Sequence, residues 1–229
     1  MKIYKLIRAF EPKIIGVKNG VHQVEWLQDK YNEKEMQQLQ SFFINLDWNN
    51  INKKPDFTFV YHAKMLRNAI LTDFMQFTPF LFGCPFLINT KVKNILDKHN
   101  IQDYYLFPAK IYDKDKVISE DYYLFYCPIL DYDIIDFEKS VFYTQLGIDK
   151  KKRKWHNVNN LEEFKNFKGI GNLKVERLVL NENFDKSLDF FTGRIGGIFI
   201  SEAFKKDIEE SGLSGVHALS TYEPEVVIG

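Results

Sequence analysis

Phe86-Leu-Ile-Asn-Thr-Lys-Val-Lys-Asn-Ile-Leu96 is the stretch on which the fold turns. Leu87-Ile88 is a short apolar run of strand character. Asn89 follows at an N-cap position, where an amide oxygen accepts an otherwise orphaned N–H of the first helical turn. Val92, Ile95 and Leu96 then recur at helical spacing, His99-Asn100 end the helix, and Tyr104–Ile111 reads as strand again. The unit is strand, cap, helix, strand. A second copy lies near the C-terminus. Phe199-Ile200 end a strand, Ser201 caps, Phe204 and Ile208 face inward, Gly212 holds the helix-ending position and Val216–Leu219 is the next strand. Placing Ile88 on Ile200, an offset of 112 residues, also sets Asn89 on Ser201, Val92 on Phe204, Lys93 on Lys205, Leu96 on Ile208 and Ile101 on Leu213. The roles agree more than the identities do, so the pattern reads as a degenerate internal repeat over about 86–111 and 198–222.

Working outward, residues 2–10 alternate as a strand. Ile14–Val17 and Val21–Trp26 flank Lys18-Asn19-Gly20, and Asn-Gly favours the positive φ of a tight turn, so a β-hairpin is expected there. Glu33–Leu46 places Met36, Leu39, Phe43 and Leu46 on one helical face. Asp47–Pro55 reads as a polar loop, Phe57–His62 as a strand, and Phe74–Pro85 as irregular but buried. Tyr122–Ile129 and Leu173–Leu180 read as strands, Ile134–Phe137 as a possible short one, and Leu161–Phe167 as a short helix after Asn159 or Asn160. Strands and helices in no regular alternation predict an α+β fold, mainly antiparallel or mixed sheet with a few short helices. The expected organisation is one domain over 1–222 with a frayed tail at 223–229.

Composition narrows the function. The 229 residues carry 31 Lys+Arg and 31 Asp+Glu, and hydrophobic residues make up 45 %. A chain of this size buries roughly 70–75 % of its unfolded surface, enough for a core without disulfides. Zero net charge argues against a general nucleic-acid binder, which needs a basic excess. Cys84 and Cys127 lie in apolar surroundings and read as buried thiols. The 21 Phe and 12 Tyr are core-filling residues before they are a binding face. The opening MKIYKLIRAFEP is interrupted by Lys5 and Arg8, unlike a signal peptide, and no apolar run is long enough for a transmembrane helix. A cytoplasmic location is expected.

The chemistry-bearing motifs are few. Gly193-Arg-Ile-Gly-Gly197 and Gly169-Ile-Gly171 precede strands rather than helices, so they make turns and not phosphate cradles. His22, His62, His99, His156 and His217 share no metal-binding spacing, and no nucleophile signature is present. The reading therefore assigns no catalytic residue, cofactor or metal. Asp131, Asp133, Asp136 and Glu138 alternate with apolar residues as a strand edge or loop would, and a solvated acidic face is their plain role. As a functional group they would meet a basic partner. Lys150–Lys154 is a basic run of loop character, and Trp155 beside it marks a candidate contact.

Three blocks resemble a known family. Pro79-Phe-Leu-Phe-Gly83 with Phe86–Leu96 is the first. Tyr122-Tyr-Leu-Phe125 with Ile135-Asp-Phe-Glu-Lys-Ser140 is the second. Arg177-Leu-Val-Leu180 with Gly197-Ile-Phe-Ile-Ser-Glu-Ala-Phe204 and Gly212-Leu-Ser-Gly-Val216 is the third. Their order is similar to that of a bacterial immunity-protein family of polymorphic toxin systems, first catalogued as a domain of unknown function. The resemblance spans about residues 57–219. It implies a protein that binds and neutralises a cognate toxin, and it supplies no catalytic residue to place here; from charge and hydropathy no nucleic-acid or membrane partner is expected. Asp136 and Ser140 fall in its second block, where a turn cap is a sufficient role. The expected partner contacts are Asp131, Asp133, Asp136, Glu138 and Trp155. An enzyme with a site assembled from distant residues, or a regulatory scaffold domain, remains the alternative.

Overall fold

The computed structural model describes residues 2–18, 22–45, 53–147, 149–169, 172–220 and 224–229. In chain order the elements are β1 (Ile3–Arg8), α1 (Pro12–Ile15), β2 (Val24–Trp26), α2 (Glu33–Phe43), β3 (Tyr61–Met65), β4 (Phe74–Met75), β5 (Phe77–Thr78), β6 (Phe86–Asn89), α3 (Thr90–Leu96), β7 (Tyr105–Asp113) and β8 (Lys116–Val117). They continue with β9 (Tyr122–Tyr126), β10 (Val141–Gln145), β11 (Arg153–His156), α4 (Leu161–Lys165), β12 (Lys174–Leu180), β13 (Phe190–Gly193), β14 (Gly197–Ser201), α5 (Glu202–Glu210), β15 (Val216–Leu219) and β16 (Glu225–Ile228). Sheet dominates and the helices are short, so the fold is α+β. The first sheet runs β13-β14-β1-β15, the second β4-β6-β9-β7-β3-β2-β5 with β8 on β7, and the third β11-β10-β12-β16.

The two strand–helix–strand units share one topology. β6 leads through α3 to β7, and β9 lies between those two strands, antiparallel to both. β14 leads through α5 to β15, and β1 lies between them in the same way. Each unit is a split strand–helix–strand layer, and each begins with a short strand on its outer side. Phe74 pairs with Ile88, and Phe190 with Ile200. The helices begin as local chemistry dictates: Asn89 accepts from Val92 N–H, and Ser201 Oγ from Phe204 N–H. α5 ends in a Schellman pair, Leu213 N–H to Ile208 O and Gly212 N–H to Glu209 O, with Gly212 at φ +61. Between the units lies a hydrophobic core of Tyr4, Leu6, Phe86, Ile88, Val92, Leu96, Phe125, Phe190, Ile200 and Phe204. Fully burying one such Phe contributes on the order of 2–3 kcal/mol.

Reciprocal carboxylates lock the units together. Asp73, just before β4, accepts from Asn89 Nδ2 at 2.8 Å, and from Ser214 N at 2.8 Å and Ser214 Oγ at 2.7 Å. It thus ties the start of α3 to the turn after α5. Asp189, just before β13, accepts from Ser201 Oγ, from Asn100 N at 3.2 Å, and faces His99 Nδ1 at 3.0 Å. It ties the start of α5 to the turn after α3. Gly215 permits the close crossing: its φ is +95, and a Cβ there would stand 2.0 Å from Phe74 O.

The second core lies against α2 and the wide sheet, with Leu39, Phe43, Tyr61, Phe107 and Tyr126. A capping box of Asn32 and Glu35 starts α2. The third core, under β10, β12 and the adjoining loop, gathers Ile134, Ile135, Phe137, Phe142, Leu178, Leu180, Phe191 and Phe199.

Several expectations give way. Ile14–Val17 is not half of a hairpin: Pro12 opens and Gly16, at φ +79, closes a single helical turn that buries Ile15. The Asn19-Gly20 turn lies outside the described residues, as do Leu46, Gly171 and most of the 47–55 loop. The strand expected at Phe57–His62 begins at Tyr61. Phe74–Pro85 is not wholly irregular, since it contains β4 and β5. Ile134 lies in a 3-10 turn rather than a strand. Lys150–Lys152 form a 3-10 turn, and Arg153 and Lys154 belong to β11 rather than to a loop. The end of the chain is not frayed: β16 pairs parallel with β12, placing Val226 beside Leu178 and Ile228 beside Leu180.

Candidate functional site

The acidic segment after β9 is laid against the edge of β12. Asp136 N–H donates to Val179 O, Asn181 N–H to Ile134 O, and Ile135 forms a bridge with Leu180. Ile134, Ile135 and Phe137 are buried, so the intervening acids are turned outward. Asp131, Asp133, Asp136 and Glu138 all line one open depression of about 650 Å³, joined there by Glu182. Tyr132, Ile135, Phe137 and Leu161 supply its apolar surface, and Lys165 and Arg194 stand in its wall. Five carboxylates against two cations give it negative character.

The carboxylates are not equivalent. Asp131 lies 3.1 Å from Arg194 Nε and accepts Tyr132 N–H, capping the 3-10 turn. Asp136 lies 2.7 Å from Lys139 Nζ and also accepts Lys139 N–H. The Lys139 side chain holds the Asp136 carboxyl below the usual carboxylate range. The Asp136 carbonyl accepts from Ser140 Oγ, which in turn accepts from Val179 N–H, so Ser140 stitches the acidic loop to β12. Asp133, Glu138 and Glu182 are exposed and form no ion pair among the described residues. They are the carboxylates open to a partner. Sequence spacing groups the acids but does not show which are already satisfied, because Arg194 reaches the loop from the β13–β14 turn.

Trp155 lies elsewhere. It is 50 % exposed on β11, opposite Tyr143, with their rings edge to face at 5.5 Å. It does not line the acidic depression, whose apolar wall belongs to the Phe137 and Phe142 side of the sheet. Tyr143 and Phe142 are successive residues of one strand and point to opposite faces.

Several other titratable groups are engaged within the fold. Burial pushes the Cys84 and Cys127 thiols well up, which keeps them neutral. His99 sits between Asp189 and Asp207, each at 3.0 Å, and His217 lies 3.0 Å from Glu11. Among the described residues no group of His, Cys, Asp or Glu is arranged to hold a metal ion. No described helix is long and apolar enough to cross a membrane. The sequence signal for Asp73 and Asp189 is slight: each directly precedes the Phe that opens the first strand of its unit.

Fold and surface together define an α+β protein of two related split units and a third sheet, with an open, acidic depression. The Immunity protein family (Imm11) model matches residues 9–222, and the chain belongs to that family. Its role is that of an immunity protein. The match includes the N-terminal stretch before residue 57, which the three sequence blocks had left out. A search of curated proteins found no match.

Proposed function

We propose that this protein neutralises a cognate toxin of a bacterial polymorphic toxin system by binding it stoichiometrically in the cytoplasm, without catalysis. The acidic depression carries the reading: it is open and negative, with an apolar floor and three exposed carboxylates that form no ion pair among the described residues. That chemistry fits a basic protein surface. A stable complex needs roughly 1,600 Å² of buried surface, so the depression forms one part of a larger contact. The exposed charges act first on encounter, by steering a basic partner.

The test starts with the tagged full chain retained on a column and the toxin recovered from native lysate. Association is then measured for Asp133→Lys with Glu138→Lys. These two residues are chosen because neither holds the loop, unlike Asp131 and Asp136. Association about tenfold slower at low salt, with flattened salt dependence, is the expected outcome. An unchanged on-rate and salt dependence removes the depression from the interface. If cells expressing the recovered toxin die equally with and without the wild-type protein, the neutralisation reading itself is wrong.

A further inference from the structure

We infer that the outer edge of β11 is a second docking surface, which takes up an acidic, extended segment of the partner protein as an added strand. This rests on the reading that the chain works by binding a protein. Among the described residues β11 is the terminal strand of the third sheet, bonded to β10 alone. In an antiparallel pair, alternate residues turn both N–H and C=O away from the neighbour. Arg153 N–H closes the preceding 3-10 turn onto Lys150 O. By the same alternation Lys154 and His156 turn their backbone groups to β10, and no described residue bonds the outward N–H and C=O of Trp155.

An open edge invites unwanted pairing, and proteins commonly blunt one with lysines. This edge is blunted against its own copy, but it is not inert. Lys151, Lys152 and Lys154 are exposed and form no ion pair among the described residues. Two copies meeting here would oppose lysine to lysine. The same charges favour a segment bearing Asp or Glu. Trp155, half exposed, does not fit a purely protective edge, since protection would place a charge or proline there. It rests on buried Tyr143, whose ring centre lies 4.3 Å from the Arg153 guanidinium, so its own position is fixed from beneath. An incoming strand would set alternate apolar side chains against Trp155 and its acidic ones near the lysines, the mode of strand addition to a sheet edge. Four residues of edge span only about 13 Å, so the contact is weak alone and adds to a larger interface.

The full-length protein, labelled with ¹⁵N, is titrated at low salt with a peptide of about eight residues alternating Glu and Val. The controls are its Lys-Val counterpart and a single-stranded oligonucleotide. The Glu-Val peptide should shift the amide signals of Lys154, Trp155 and His156 and slow exchange at the outward Trp155 amide, while both controls leave them in place. Lys152→Glu with Lys154→Glu should weaken that binding about fivefold, as two surface charge contacts would, with the fold intact. Three results overturn the inference: no response to the acidic peptide at its highest soluble concentration, an equal response to the basic one, or a response to the oligonucleotide alone. No toxin is present in this titration, so its failure leaves neutralisation standing. Failure of neutralisation shows in cell survival instead.

Discussion

Replacing Asp73 by alanine should loosen both halves of the molecule at once. Three hydrogen bonds end on this carboxylate, two from Ser214 and one from Asn89. The side chain is 11 % exposed, and Lys91, at 3.6 Å, is itself exposed and adds little. A hydrogen bond to an ionised group contributes about 1.5–3 kcal/mol. Water reaches part of this site once the carboxylate is gone, so about 1 kcal/mol for each bond is the discounted figure, or about 3 kcal/mol in all. For a chain of this length that corresponds to a fall in Tm of roughly 6–12 °C. Asp73→Asn should fall between, because an amide retains one acceptor oxygen and turns an NH₂ group towards a donor. Asp115→Ala, an exposed turn position, is the control and should stay within about 0.5 kcal/mol. Calorimetry gives the magnitude, and hydrogen exchange gives the location. Exchange should rise both at Asn89–Val92 and at Gly212–Val216. A Tm shift no larger than that of the control, or loosening on one side only, would refute the idea that Asp73 couples the two units.

Two further outcomes follow from the same chemistry. Ser140→Ala leaves the buried Val179 N–H without its acceptor and should cost about 1–2 kcal/mol in urea unfolding, with the m-value unchanged. Acid should destabilise the junctions. Burial alone would raise the Asp73 and Asp189 carboxyls, but hydrogen bonds from Ser214 and Asn89, and from Ser201, His99 and Asn100, outweigh it and hold both below the ordinary 3.8. A carboxyl depressed in the folded state contributes stability that is complete above its unfolded pKa and is lost as pH falls through the folded one. The urea midpoint should therefore drop below about pH 4, and less steeply in Asp73→Ala than in wild type. Equal slopes would show that these carboxylates carry no such linkage.

The parts of this protein legible in sequence are those settled within a few residues. Asn89, Ser201 and Asn160 each cap a helix by bonding an N–H three positions on, and Gly212 ends α5 because glycine tolerates the left-handed turn. The common pattern of the two strand–helix–strand units was readable for the same reason. Local signals compete at Ile14–Val17, where Pro12 and Gly16 bound a helical turn that occupies half of the expected hairpin.

Other features depended on residues far apart in the chain. β16 resembles a loose tail until β12 supplies a parallel neighbour, because a strand has no backbone partners of its own. β9 and β1 slot between the strands of their units through pairings that no turn specifies. The acidic run was visible as a run, yet Arg194 and Lys139 decide which carboxylates are spent on the fold and which face outward. Trp155 stood out by its neighbours in sequence, but its place on an open sheet edge, on the other side from the acids, is a product of strand order. Sequence by itself determined the caps and the apolar faces, because those follow from short-range hydrogen bonding and side-chain period, and it carried the blocks that resemble the immunity family. Tertiary structure alone decided the pairing, the reciprocal Asp73 and Asp189 links and the free charges, because each depends on which distant group arrives to satisfy a donor, an acceptor or a charge.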